Sequence, residues 1–227
     1  MNKLWKITFA SLLVLVTIIS CDKDGNEIED EKIQTERIED IIPKQYLDTL
    51  EKLNFAIHKG VKPPILNGKF AFRPSVLDTS NIATDIPGYH FLDGVVSLFG
   101  QNNNDFSINL LGENFISYAD TSISTAVSGT GNAFTVYGKV KSNFGNYYAT
   151  LALLISGELD DVGNIKNAQA GIIMVDDSQG GGAFIKNGQA RIAYDSDYLS
   201  ERVGEAEKEA KSINKTGKAL SYRILER

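Results

Sequence analysis

The sequence predicts an all-β domain, with one helix ahead of the strands and one behind them. Three observations predict it. First, nine runs of strand character lie between Ile65 and Tyr194: Ile65–Arg73, Tyr89–Phe99, Phe106–Leu111, Phe115–Ala119, Ala133–Lys141, Tyr147–Ser156, Ala168–Val175, Ala183–Ile185 and Gln189–Tyr194. Second, turn chemistry separates them, as in Asn102-Asn103-Asn104-Asp105, Gly129-Thr130-Gly131-Asn132, Asp160 to Asn164, Asp176 to Gly182 and Asn187-Gly188. Third, the spacers are short, which favours antiparallel hairpins over parallel pairs with their long crossovers.

The chain begins with an export signal. Lys3 and Lys6 precede an uncharged, mostly aliphatic or aromatic stretch from Ile7 to Ile19. That stretch is shorter than the ~20 residues a helix needs to cross a bilayer core. A buried core helix is the competing reading, but no cap follows and the next residues are acidic. The pattern fits the apolar region of a secretory signal peptide, residues 1–20. The stretch ends Ile18-Ile19-Ser20-Cys21, which resembles the bacterial lipobox. The resemblance implies cleavage before Cys21, a diacylglyceryl group on its thiol and an acyl chain on the new amine. Two or more chains hold a protein firmly at a bilayer, where one chain binds marginally. Cys21 is the only cysteine, so a disulfide framework and a thiolate zinc site are excluded.

Residues 21–42 read as the lipidated cysteine and an acidic tether. Nine acids stand against Lys23, Lys32 and Arg37, and such a segment is expected to repel itself and stay extended. Asp22-Lys23-Asp24 is similar to export signals behind the lipid cysteine of surface lipoproteins in the Bacteroidota. The match implies an outer-membrane lipoprotein of the cell envelope, and surface and periplasmic display both stay open. Asp22, Asp24 and Asn26 also look like the start of a calcium loop. Glu27 stands where that loop needs Gly, and Ile33 where it needs Glu, so an EF-hand is rejected. The tether's net charge of −6 and the leader's +2 leave −2 of the total −6 for residues 43–227. A nearly neutral domain and a pI near 5.0 argue against nucleic acid as a partner.

Residues 43–227 read as one β-rich domain. Pro43 suits a first helical position, and Tyr46, Leu47, Leu50, Leu53 and Ile57 recur at helical spacing up to Gly60. His58 falls in the last turn, where a cation suits the helix dipole. Within Ala133–Lys141, Phe134, Val136 and Val140 share one face, and Thr135, Tyr137, Lys139 and Lys141 share a face that reads as wet. Tyr147–Ser156 and Ile172–Val175 are apolar on both faces, so the helices are expected to cover them. A C-terminal helix is expected from Asp197 to Thr216, with Leu199, Val203, Ala206, Ala210 and Ile213 as its stripe and Gly204 as a weak point. Ala219–Leu225 reads as a last strand.

This order of elements, with Leu66-Asn67-Gly68-Lys69-Phe70 at the first strand, resembles the lipocalin-like, or calycin, β-barrel. Phe70 stands where that family usually has Trp. The resemblance implies an antiparallel meander closed as a barrel with both helices packed outside. A jelly-roll-type β-sandwich is the alternative.

Catalytic constellations are scarce. Two histidines, His58 and His90, give a Ser-His-Asp triad few ways to exist and stand at no metal-ligand spacing. Gly180-Gly181-Gly182 lacks the Lys-Ser/Thr of a phosphate loop. No catalytic residue, metal ligand or cofactor is assigned. Asp160-Asp161, Asp176-Asp177 and the pair Asp195 and Asp197 leave two alternatives open, a calcium site and a glycoside hydrolase with paired acids. The aromatic cluster across one hairpin makes Tyr137, Phe144 and Tyr147 the candidate binding surface. The functional expectation is a non-enzymatic, membrane-anchored lipoprotein binding a small apolar molecule or glycan. A structural subunit of a surface assembly is the remaining alternative.

Overall fold

The computed structural model describes residues 23–113, 116, 119–204 and 220. The chain is mostly β. Two helices, α1 (Lys23–Ile41) and α2 (Lys44–Lys52), precede eleven strands: β1 (Val61–Lys62), β2 (Gly68–Phe72), β3 (Ser75–Ser80), β4 (Gly94–Asn102), β5 (Ser107–Glu113), β6 (Ala119–Thr130), β7 (Ala133–Phe144), β8 (Tyr147–Leu159), β9 (Ile165–Asp176), β10 (Ala190–Asp195) and β11 (Leu199–Arg202). They form one sheet ordered β11-β2-β4-β5-β6-β7-β8-β9-β10-β3. From β4 to β9 each strand pairs antiparallel with its successor. β1 adds in parallel to the end of β6, at Gly129 and Thr130, which makes the sheet mixed.

The expected closed barrel is corrected to a curled half-barrel. The reason lies in β9, which divides its edge between two partners. Ile165 and Lys166 pair with β11, while Gln169 to Ile173 pair with β10. β11 reaches β2 through Glu201↔Ala71 and Arg202↔Phe70 alone. β10 and β3 continue the sheet past this short junction, so the curl does not close fully.

The start of the expected C-terminal helix is β11 instead. Asp197 accepts the Leu199 backbone N–H, Ser200 donates to Asp195, and the Arg202 N–H goes to Asn164. These partners, with ladder bonds to two strands, outweigh a narrow stripe interrupted by Gly204. The whole of the expected helix beyond Gly204, and the last expected strand except Leu220, lie outside the described residues.

The acidic segment expected to stay extended is α1. Gln34 Nε2 donates to the carbonyls of Gly60 and Val127, both at 3.1 Å. Arg37 Nε donates to the Thr125 carbonyl at 2.6 Å. Lys62 meets Glu27 at 3.1 Å, and Lys139 Nζ donates to the Asp40 carbonyl. The sheet thus supplies cations and carbonyls that hold the helix, and Ile41 and Ile42 at its end are fully buried.

α2 is shorter than the expected 43–60 helix. It ends in an αL cap, where Asn54 has φ +67° and the Asn54 and Phe55 N–H groups bond to the Glu51 and Leu50 carbonyls. Phe55 then lies on β9 at Gly171, where a Cβ would stand 2.9 Å from its ring. Glycine is what allows that approach. His58 therefore lies beyond the helix.

The sheet's two faces bury separate clusters. Phe70, Phe72, Phe91, Leu110, Phe134, Val136, Leu151, Leu153, Ile155, Ile172 and Met174 belong to the cluster that fills the inside of the curl. On the outer face Ala126, Tyr137, Ala152, Leu154, Ile173 and Ile192 pack against Ile41, Ile42, Leu50 and Phe55. The doubly apolar strands β8 and β9 are covered as their pattern requires. The face of β7 that reads as wet is not wet at Thr135 and Tyr137, because these two are buried.

Candidate cleft between the helices and the sheet

Pro43 sets the geometry of the site. A residue before proline is barred from the helical region, and proline suits a helix start. The chain therefore breaks at Ile42 and restarts as α2, with the Tyr46 N–H bonded to the Pro43 carbonyl. The two helices bound a cleft of about 460 Å³ on the outer face of the sheet. That volume falls within the usual range of small-molecule sites.

Glu31, Gln34, Thr35, Ile38 and Ile42 face the cleft from α1 and its end. Their spacing of three and four residues is one helical stripe. Leu47, Asp48 and Glu51 face it from α2, Ile57, Lys59 and Gly60 from the following segment, and Ser128 and Tyr137 from the sheet. The walls are largely aliphatic and the rim is charged. Lys44 Nζ lies 2.6 Å from Asp48. The Asp48 hydrogen bond, with the charges of Asp48, Glu51 and Glu39, raises the Lys44 pKa.

Tyr137 is the polar group at the floor and is 1% exposed. Its Oη lies 3.1 Å from Ser128 Oγ, which donates its own proton to the His58 carbonyl at 2.6 Å. Ser128 must therefore accept from Tyr137. Burial pushes the phenol up to about 12, so it stays protonated at neutral pH. Its donor is committed, and its oxygen, already bonded by the Thr135 hydroxyl, keeps one further acceptor position.

The three predicted binding aromatics are not brought together. Tyr137 lies beneath the helices, while Phe144 and Tyr147 face each other across the β7–β8 tip, each 48% exposed. At that tip Tyr148 accepts Lys141 over its ring at 4.0 Å. The Tyr147 ring rests on Gly181, where a Cβ would come within 2.2 Å. Cys21 lies outside the described residues.

The paired-acid arrangement is not assembled from the Asp160 and Asp176 turns. They lie at opposite ends of β9, about 36 Å apart at strand rise, against the ~5–10 Å that paired-acid glycoside hydrolysis uses. Asp160 accepts the backbone N–H groups of Val162 and Asn164 within its own turn. Asp195 is buried, with Oδ2 accepting from Arg73 N and Ser200 Oγ. Asp177 pairs with Lys186 at 2.9 Å. Among the described residues no three His, Cys, Asp or Glu side chains gather to hold a metal ion. His90 is exposed and bridges Val76.

The stripe from Glu31 to Ile42 is the part of the site that sequence reasoning missed. Its signal is visible as Gln34, Ile38 and Ile41-Ile42 at helical spacing, but nine acids obscure it. Comparisons with protein-family models, with curated proteins and with solved structures return no match.

Proposed function

We propose that this chain is a lipid-anchored protein of the bacterial cell envelope that binds a small, largely apolar ligand without chemically transforming it. The observation that carries the binding role is the cleft between α1, α2 and the outer face of the sheet. The inside of the curl supports this placement, because large side chains occupy it. The outer cleft keeps space between aliphatic walls and one buried phenol.

The anchor rests on the Ile18-Ile19-Ser20-Cys21 motif behind an apolar leader. No helix of the described residues is long and apolar enough to cross a membrane. With α1 starting two residues after Cys21 and docked along the sheet, the anchored domain would sit close to the bilayer. Outer-membrane attachment follows the resemblance to Bacteroidota export signals.

Two measurements test the proposal. In cells fed radiolabelled palmitate, the wild-type chain should take up label and Cys21→Ala should not; an unlabelled wild-type chain refutes the anchor. For the cleft, the neutral solvatochromic dye Nile red should brighten with the full chain. Thr35→Trp places a bulky ring at the mouth from an exposed position and should abolish the brightening while far-UV circular dichroism stays unchanged. Equal brightening in wild type and variant refutes the cleft as the site.

A glycan-binding reading has one specific observation behind it, the exposed cross-strand pair Phe144 and Tyr147, with the Tyr147 ring resting on Gly181. Aromatic faces of this kind stack on sugar rings.

A further inference from the structure

We infer that the cleft selects a cationic amphiphile, an apolar chain carrying an ammonium group, over an anionic one such as a fatty acid. The inference rests on the proposed binding role of the cleft and adds the charge of its ligand.

Two features of the site carry it. The first is the rim. Glu31, Glu39, Asp48 and Glu51 stand around the opening against Lys44 and Lys59. Asp48 and Lys44 neutralise each other in a 2.6 Å pair that is also a hydrogen bond. Three carboxylates are then opposed by Lys59 alone. Glu39 from α1 and Glu51 from α2 both act on Lys44 through their charges, so the acidic field reaches the opening from both helices. A ligand cation entering between aliphatic walls gains from this field, and a ligand anion meets like charge as it loses water.

The second feature is the floor. Tyr137 donates to Ser128, and Ser128 donates to the His58 carbonyl. What Tyr137 offers an incoming group is the acceptor capacity its oxygen keeps beside the Thr135 hydroxyl, and Gln34, one of the polar side chains facing in from α1, has its amide hydrogens directed at Gly60 and Val127. An ammonium head brings N–H donors to such a site. A carboxylate brings none, and would bury an acceptor against an acceptor.

The aliphatic part of the ligand has matching walls in Ile38, Ile42, Leu47 and Ile57. Each buried methylene stabilises the complex by ~0.8 kcal/mol, which gives affinity without discrimination. Selection falls to the charged rim and the phenol.

Three single-chain probes test the inference on the full chain by titration calorimetry: decylamine, decanol and decanoate at pH 7. Decylamine should bind at least tenfold more tightly than decanoate, with decanol between them. The double reversal Glu39→Lys and Glu51→Lys, at exposed positions, should invert that order. Tyr137→Phe should weaken decylamine several-fold more than decanol. Decanoate binding as tightly as decylamine, or an order unmoved by the double reversal, overturns the inference and leaves the cleft as a site of other specificity. Binding of none of the three overturns the inference together with the cleft reading beneath it.

Discussion

Replacing Ile41 by Ala separates a docked helix from a loose acidic leash. Ile41 is fully buried where α1 meets the outer face of the sheet. If α1 is part of the folded unit, the substitution removes buried methyl and methylene groups and leaves a void beside Ile42 and Leu50. Such changes cost about 2–5 kcal/mol. That is a large fraction of the ~5–15 kcal/mol that holds a typical domain together. With a urea slope of ~1–3 kcal/mol/M, the unfolding midpoint should fall by roughly 1–2 M when followed by far-UV circular dichroism. Ile33, on the same helix but 36% exposed, is the control, and Ile33→Ala should move the midpoint by no more than ~0.5 kcal/mol equivalent. If both variants behave like wild type, α1 is not docked, the cleft loses one wall, and the binding argument loses its basis.

Two further substitutions probe the ends of β10. Arg191 meets Asp85 in a bidentate pair at 2.6 and 2.8 Å, with both side chains 1% exposed, and its Nη1 donates to the Leu220 carbonyl. Arg191→Met should cost about 3–5 kcal/mol by leaving the Asp85 carboxylate buried without its partner, and adding Asp85→Leu should recover most of that loss; urea unfolding of the single and double variants measures both. At the other end of β10, burial raises the Asp195 carboxyl to about 7, with Asp197 adding to the rise and the bonds from Arg73 N and Ser200 opposing it. The folded state therefore holds this proton more tightly than the unfolded chain does. Its contribution is present in full below the unfolded pKa near 4 and is lost as pH rises towards 7. Asp195→Asn should flatten the fall in unfolding midpoint between pH 4 and 7, and an equally steep fall in the variant would remove Asp195 as its source.

The strands with strong alternation were legible. β7, β8 and β9 begin or end within a few residues of their sequence ranges, because each carries large apolar residues at period two. β6 was not legible. Its sequence from Ala119 to Thr130 is mostly Ser, Thr and Ala, with Ile123 and Val127 as its large residues. Nine residue pairs with β7 define it as a strand, and no local signal carries that information. β3 and β11 are short and take their state from pairing with β10, β2 and β9. α1 was hidden for an electrostatic reason, since its self-repulsion counts against order only until Arg37, Lys62 and Lys139 are placed beside carbonyls and carboxylates distant in sequence. Tyr137 was picked out as a binding residue from its place among aromatics on a hairpin. Alternation put it opposite Phe134, as observed, but nothing local showed that a helix covers that face.

The same sheet treats its two faces differently, and this decides where a ligand has room. Inside the curl, side chains converge from several directions onto one volume, and the phenylalanines of β2, β7 and the segment after His90 meet aliphatics from β8 and β9. Convergence of that kind fills space. On the outer face two helices lie against a sheet, and neither can follow the other past Pro43. α1 is tied down at Gln34 and Arg37 near the ends of β1 and β6, while α2 is tied down through Phe55 on Gly171 of β9. The strip of sheet between those anchors includes Ser128 and Tyr137 and lies open to the cleft. The site then depends on the break between the helices more than on any residue inside it. Pro43→Ala should leave the inner cluster intact and change dye binding in the cleft, whereas a site inside the curl would not respond.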